Sequence, residues 1–163
     1  MNKLHDDLLL HAQSLIAPSQ GRPAQADLRR SISASYYSAF HCLCYVWSNK
    51  YSSGLRHHLS RCPDHLAIRK AANKLMKGNS GWISTAPSDT LVQICDDIIR
   101  LQESRISADY NIAMHYRKVD AKEATDRAQR IIQNIQILQG SAASTSEIDA
   151  LILESLKITC PAR

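Results

Sequence analysis

The chain has 163 residues, which fits one domain (1–163) and is long enough to bury about two thirds of its unfolded surface in one core. No apolar run approaches the roughly 20 residues of a membrane span, and Asp6 and Asp7 lie where a signal peptide would be apolar. The five cysteines are an odd number and are scattered along the chain, so they do not form a disulfide framework. These features predict a cytoplasmic protein with free thiols and no membrane partner.

The net charge of +5 is unevenly distributed: residues 1–80 contain 11 Lys/Arg against 4 Asp/Glu, and residues 81–163 contain 9 against 11. Between residues 50 and 77 only Asp64 opposes a basic patch, which we call the 50–77 patch. Its members are Lys50, Arg56, Arg61, Arg69, Lys70, Lys74 and Lys77. Such a patch attracts phosphate backbones, with binding that weakens as salt rises. A solvated basic face, or attraction to the acidic half of a second copy, explains it equally well.

Apolar periodicity and the placement of glycine and proline predict an all-α protein, an antiparallel bundle of about five helices with a short extra C-terminal helix. The predicted helices cover 3–16, 26–51, 64–77, 89–110, 120–139 and 145–158. Asp120 and Glu123 resemble a capping box that starts the fifth helix. The sixth helix could dock on its own chain or on a partner. We expect Trp82 and Ile83, between the third and fourth helices, to lie under the bundle.

The second predicted helix has two distinct sides. Ile32, Tyr36, Ala39, Leu43 and Val46 form an apolar stripe that predicts a core contact. A second stripe is polar. It contains Arg30, Ser33, Tyr37, His41 and Cys44. A third set of small side chains indicates close packing against another helix; it consists of Ser31, Ser35, Ser38 and Cys42.

The fourth predicted helix carries an arginine on its core-facing seam. Leu91, Ile94, Ile98 and Leu101 form an apolar stripe, and Arg105 continues it, followed by Ala108 and Ile112. A guanidinium is costly to bury without a partner, so this position indicates either a fixed ion pair or a lined cleft. Asp109, one turn on, is the structural partner, and a bound phosphate is the functional one. We expect the Tyr37 hydroxyl to reach the same cleft.

Two segments of the chain resemble the HEPN-domain family, small all-helical bacterial and archaeal proteins. They are Ser35-Tyr36-Tyr37-Ser38-Ala39-Phe40-His41 and Arg105-x-x-Ala108-Asp109-Tyr110, and the resemblance extends from about residue 27 to about residue 139. It implies a helical fold, a homodimer and a polar cleft for RNA or a nucleotide. Many members resemble metal-independent ribonucleases or toxins whose motif is an arginine, four to six further residues and a histidine.

This sequence departs from that motif. Tyr110 stands where the shortest form would have its histidine, and nine residues separate Arg105 from His115. On an unbroken helix Arg105 and His115 would lie roughly 15 Å apart along the axis. His41 is either a structural histidine or a replacement supplied by another helix, able to exchange a proton with an RNA 2′-hydroxyl.

The candidate site residues follow from these observations. The predicted catalytic residues are Arg105, Asp109, Tyr110 and His41. The predicted nucleic-acid or nucleotide-binding residues are Arg30, Tyr37, Lys50, Arg56, Arg61, Arg69 and Lys70. The sequence has no phosphate loop, dinucleotide fingerprint or nucleophile elbow, which excludes the ordinary hydrolase and nucleotide-hydrolysing classes. No cofactor is expected.

A cluster of His57, His58, Cys62 and His65 raises the question of a metal. Its spacing matches no strong zinc pattern such as paired Cys-x-x-Cys knuckles. Cys42 and Cys44, two residues apart on a helix, point in different directions. We therefore predict no metal site.

Two functions remain in competition. One is an RNA- or nucleotide-linked HEPN-like protein, a weak metal-independent endoribonuclease or toxin-type component in stress or phage defence, with a cognate protein or antitoxin as its partner. The other is a catalytically inert helical module that binds a nucleotide or a protein partner through the same cleft.

Overall fold

The longest helix lies at the centre of the bundle and contacts most of the others. The computed structural model describes residues 3–17, 21–50, 63–83, 85–140 and 145–159, which contain six α-helices and no strand. In chain order they are α1 (Leu4–Ile16), α2 (Gln25–Ser48), α3 (His65–Met76), α4 (Asp89–Tyr110), α5 (Lys118–Gln139) and α6 (Thr145–Thr159). Helix α2 packs against α1, α4 and α5. The predicted all-helical class is confirmed.

Small side chains let α1 and α2 approach closely. The Ser31 hydroxyl donates to the backbone oxygen of Ala12 (2.8 Å), and the Ser38 hydroxyl donates to that of His5 (2.6 Å). Both serines are fully buried, so these bonds satisfy groups that would otherwise be costly to remove from water. The structure confirms the predicted packing role of the small residues of α2.

The apolar stripe of α4 faces the core as the helical period predicts. Leu91, Ile94, Ile98 and Leu101 are all buried against neighbouring helices. The stripe ends with Ala108, because α4 stops at Tyr110 and Ile112 is 91% exposed in the following turn. The prediction that Ile112 continues this stripe is therefore wrong.

A fully buried carboxylate joins α4 to α5. Arg130 donates two hydrogen bonds to Asp97, at 2.7 and 2.8 Å, and Arg127 donates a third at 2.9 Å. Gln93, one turn before Asp97, donates a fourth at 3.1 Å. Burial opposes the charged form of Asp97, but these hydrogen bonds and the charge of Arg130 outweigh it and hold its pKa below the ordinary value.

Several boundaries differ from the predicted ones. Helix α2 ends at Ser48, and residues 49 and 50 form a turn. Helix α5 begins at Lys118, so Asp120 lies in its first turn and accepts from the backbone N–H of Arg117 (2.7 Å). Glu123 pairs with Arg127 instead of capping the helix. Trp82 is 47% exposed, against the prediction, whereas Ile83 packs on the core.

Helix α6 docks on its own chain through apolar and polar contacts. It packs mainly against α3 and buries Ile148, Leu151 and Ile152. The Glu147 carboxylate accepts from the backbone N–H (2.8 Å) and hydroxyl (2.6 Å) of Ser88, which also caps α4. These contacts attach the last helix to the first turn of α4.

Two ion pairs also hold α6 in place. Lys74 of α3 pairs with the buried carboxylate of Glu154, and Lys50 pairs with Asp149. Among the described residues, no helix is both long and apolar enough to cross a membrane.

The Asp97 cluster predicts a large and specific loss of stability. Asp97→Ala should lower the free energy of unfolding by about 2–4 kcal/mol, because it removes four hydrogen bonds and leaves two arginines without their buried partner. Urea denaturation would measure the loss. The matched control is Asp96→Ala, whose pair with Arg100 is exposed to solvent and should contribute much less to stability. Equal losses in the two variants would contradict the assignment.

Candidate functional site

Arg105 lies near the C-terminal end of α4, on the side that faces α2. Its Nη2 donates to the hydroxyl of Tyr37 on α2 (2.7 Å). The guanidinium carbon also lies 5.4 Å from the centre of the Tyr37 ring and 5.7 Å from that of Tyr110. Arg105 is thus a half-buried cation held between two tyrosines.

Asp109 provides the opposite charge, one helical turn after Arg105. Its Oδ2 lies 2.8 Å from Nε of Arg105, an ion pair in which the N–H is not directed well enough for a hydrogen bond. The Ser33 hydroxyl of α2 donates to Oδ1 of the same carboxylate. Burial opposes the charge on Arg105, but Tyr37 and Asp109 outweigh it and raise its pKa.

A group of aromatic rings and histidines adjoins this pair. The hydroxyl of Tyr36 lies 2.8 Å from Nδ1 of His65, the first residue of α3. The His65 ring centre lies 4.0 Å from that of Phe40 and 5.7 Å from that of Tyr37, edge to face in the latter case. Tyr36 is buried as predicted, but its polar end meets a histidine.

His41 lies on the same side of α2, one turn after Tyr37. Its ring centre is 6.5 Å from that of Tyr37 and 5.7 Å from that of Phe40. Among the described residues its ring makes no hydrogen bond, and the charge of Arg105 is not a cause of the shift in its pKa. The predicted polar stripe is thus divided, since Ser33 and Cys44 are buried and Arg30 is exposed.

Arg29, which sequence reasoning missed, holds the end of α4 in place. Its guanidinium donates to the backbone oxygens of Ala108 (2.7 Å), Asn111 (3.0 Å) and Met114. Carbonyl groups at a helix C-terminus lack partners within the helix, and a cation there also complements the helix dipole. Arg29 therefore stabilises the turn of helix that carries Asp109 and Tyr110. The sequence contains no local signal for this contact across 79 residues.

The family model for the HEPN domain matches residues 7–138. The chain belongs to the HEPN-domain family. The match covers most of α1 and ends within the last turn of α5, so α6 lies outside it. Neither the search of curated proteins nor that of solved structures found a match.

The histidine motif expected of active HEPN domains remains incomplete around Arg105. Tyr110 occupies the motif position and is 71% exposed. His115 lies after the end of α4 and lines a groove of about 430 Å³ beside α5, together with Arg100 and Arg117. Arg105 is not among the residues that line this groove.

The 50–77 patch is partly neutralised within the HEPN chain itself. Lys50 pairs with Asp149 of α6, and Arg69 pairs with Glu103 of α4. Arg30 and Lys70 are exposed and make no ion pair within the described part of the chain. Arg56 and Arg61 lie outside the described residues. Of the described members of the predicted binding set, Arg69 lines a groove together with Tyr110, whereas Lys50 contacts α6.

The described residues contain no group of three or more His, Cys, Asp or Glu side chains able to hold a metal ion. His57, His58 and Cys62 of the predicted cluster lie outside them, and His65 contacts Tyr36 instead. Cys42, Cys44 and Cys95 are free thiols, and burial raises the pKa of each to about 12, which leaves them unreactive near neutral pH.

Three histidines of this HEPN domain predict a loss of stability in mild acid. Burial is the main cause that lowers the pKa values of His5, His41 and His65 below 6.5. The unfolded chain then binds more protons below pH 6.5, so stability should fall from pH 6.5 down to each folded pKa. The slope is at most about 1.4 kcal/mol per pH unit for each histidine.

Urea denaturation at pH 7.5, 6.5 and 5.5 would measure this slope. His5→Gln should make it shallower, because the variant removes a fully buried group that resists protonation. A wild-type free energy of unfolding that is the same at all three pH values would contradict the expectation.

Proposed function

We propose that this HEPN protein binds the phosphate of RNA or of a nucleotide at Arg105 and acts as a weak metal-independent endoribonuclease. The observation that carries the proposal is the half-buried Arg105 guanidinium, held by Tyr37 and Asp109 next to histidines from two helices. A planar guanidinium held in this way suits recognition of a phosphate better than a freely moving surface lysine.

Part of the guanidinium remains available to a ligand. Nη2 of Arg105 donates to Tyr37, and Nε pairs with Asp109. Nη1 makes no hydrogen bond with the described residues and is not one of the fully buried polar atoms that lack a partner. A phosphate oxygen at Nη1 would lie beside the exposed ring of Tyr110, which could stack on a base. Arg30 and Lys70, which make no ion pair within the described part of the chain, would contribute longer-range attraction.

The reaction requires no metal or cofactor to balance. The RNA 2′-oxygen bonds to phosphorus, the bond from phosphorus to the 5′-oxygen breaks, and a cyclic phosphate and a 5′-hydroxyl result. Arg105 would stabilise the charge that develops on the phosphate oxygens. A histidine near neutral pKa would take the 2′-hydroxyl proton, and water returns a proton to the 5′-oxygen. His41 is the residue that the sequence predicts for this role.

Such an activity fits a toxin-type component in stress or phage defence, because cleavage of cellular RNA slows growth. It would act in the cytoplasm, and a cognate protein or antitoxin would inhibit it. These roles follow from the family resemblance together with the proposed chemistry.

One observation favours the second function, a catalytically inert module. Asp109 already supplies a negative charge to Arg105 and is itself fixed by Ser33, so a phosphate must compete with a carboxylate present in the same chain. In that case the cleft binds a nucleotide or a protein partner without turnover.

Cleavage of a mixed RNA pool without added metal tests the proposed function. Arg105→Gln should lower the cleavage rate by about 10²- to 10³-fold, because it removes the charge that stabilises the transition state. The matched control is Arg100→Gln on the same helix, an exposed arginine with an aspartate one turn away that should retain wild-type activity.

Thermal melting of both variants would confirm that they remain folded. If wild-type protein leaves the RNA intact but binds uridine 3′-monophosphate through Arg105, the inert module becomes the function. If it neither cleaves nor binds, both candidate functions fail.

We further propose that the chain acts as a homodimer through the exposed apolar surface beside the site. Ile106, Ile112 and Met114 form this surface at the end of α4 and in the turn after it. Exposed apolar side chains of this size, next to one another, are typical of interaction surfaces.

Sedimentation of wild type should give a dimer, and Ile112→Asp should give a monomer, since it places a charge at the apolar surface. Val119→Asp, an exposed apolar residue on the first turn of α5, is a control for general effects of charge. A monomeric wild type would overturn the homodimer and leave a different protein as the occupant.

A further inference from the structure

We infer that His65, from α3, is the proton-transfer histidine of the Arg105 site and takes the place of the histidine missing from the end of α4. The inference rests on the proposed function and deepens it, because it names the group that would face the ribose next to the bound phosphate. The geometry around α3, Tyr36 and Gln102 carries it.

The backbone of His65 is attached directly to the helix that carries Arg105. Gln102, one turn before Arg105, donates from Nε2 to the backbone oxygen of His65 (2.7 Å). Asp64 caps the start of α3 by accepting from the backbone N–H of Ala67 (2.9 Å). The first turn of α3 is therefore held against the last turns of α4, where a reacting group needs a fixed position.

The imidazole ring is oriented as well as positioned. Tyr36 lies 2.8 Å from Nδ1, and Phe40 and Tyr37 pack against the ring. Nε2 has no hydrogen-bond partner among the described residues and is not one of the fully buried unpaired polar atoms, so it keeps some exposure to solvent. When Nδ1 carries the proton and donates it to the Tyr36 oxygen, the Nε2 lone pair is available as a base.

Tyr37 connects the histidine to the arginine. Its ring meets His65 edge to face at 5.7 Å, and its hydroxyl accepts from Arg105. Burial lowers the pKa of His65, and the charges of Arg105 and His41 lower it further, while Asp64 raises it. His65 is therefore neutral at pH 7, the form that a general base requires.

His41 lacks these connections. Its ring makes no hydrogen bond with the described residues, and burial alone lowers its pKa, with no contribution from Arg105. Its contact with Tyr37, at 6.5 Å between ring centres, is also longer than that of His65. The two histidines thus differ in the coupling to Arg105 that a shared active site requires.

In the proposed step the 2′-oxygen of the RNA forms a bond to phosphorus and its proton moves to Nε2 of His65. The bond between phosphorus and the 5′-oxygen breaks, and water supplies the proton that this oxygen takes up. Protonated His65 then returns its proton to water, so the cycle is complete without a metal or an oxidant.

The test uses purified full-length protein and two readouts. In metal-free RNA cleavage, His65→Gln should lower the rate by about 10²- to 10⁴-fold and remove the acidic limb of the pH–rate profile. His11→Gln, an exposed histidine of α1, should match wild type. In NMR spectra of wild type, uridine 3′-monophosphate should shift the His65 Nε2 signal and raise the pKa of that imidazole, as a nearby phosphate dianion requires.

Each result decides the inference. If His41→Gln abolishes cleavage while His65→Gln retains it, the assignment to His65 is overturned and the ribonuclease proposal stands. If wild type binds the nucleotide without cleaving RNA, the His65 signal decides: a shift supports the inference and its absence overturns it. If neither cleavage nor binding at Arg105 occurs, the proposed function fails and the inference fails with it.

Discussion

The buried carboxylate of Asp97 is the interaction on which the position of the candidate site depends. Four hydrogen bonds from Gln93, Arg127 and Arg130 satisfy it, and the three from the arginines connect α4 to α5. Arg105 lies about two turns further along the same helix. The contacts of Asp97 set the rotation of α4 about its axis and its position along that axis, and these in turn direct Arg105 towards α2. A charge that is buried away from water is tolerated only when its hydrogen-bonding partners are fixed. This requirement restricts how α4 can shift or rotate.

The C-terminal end of α4 is held by hydrogen bonds to backbone oxygens. The carbonyls of its last turn and of the following segment accept from Arg29, which lies on α2. The same region carries Asp109, bound by Ser33 of α2. Helix α4 is thus attached to α2 by two side chains close to Arg105. The position of Arg105 between these two helices therefore depends on polar contacts as much as on the apolar core.

Part of the positive charge of the 50–77 patch is paired within the fold, which affects how the protein could bind RNA. Lys50, Arg69 and Lys74 of the 50–77 patch each have an acidic partner from α4 or α6. Such pairs reduce the local positive potential available to a phosphate backbone. The Arg105 site is therefore the better candidate for specific recognition, and α6 contributes by supplying two of the neutralising carboxylates.

The sequence by itself determined the helical class, the six helices and the core faces, because the 3.6-residue period of apolar side chains is a local property of the chain. It also identified Arg105, since a cation on an apolar seam is visible in one segment. Tertiary structure alone decided that His65 adjoins Tyr36, that Arg29 holds the end of α4, and that three members of the basic patch pair with carboxylates. Each of these contacts joins residues far apart in the chain, and no local pattern specifies which distant side chain will occupy a given position.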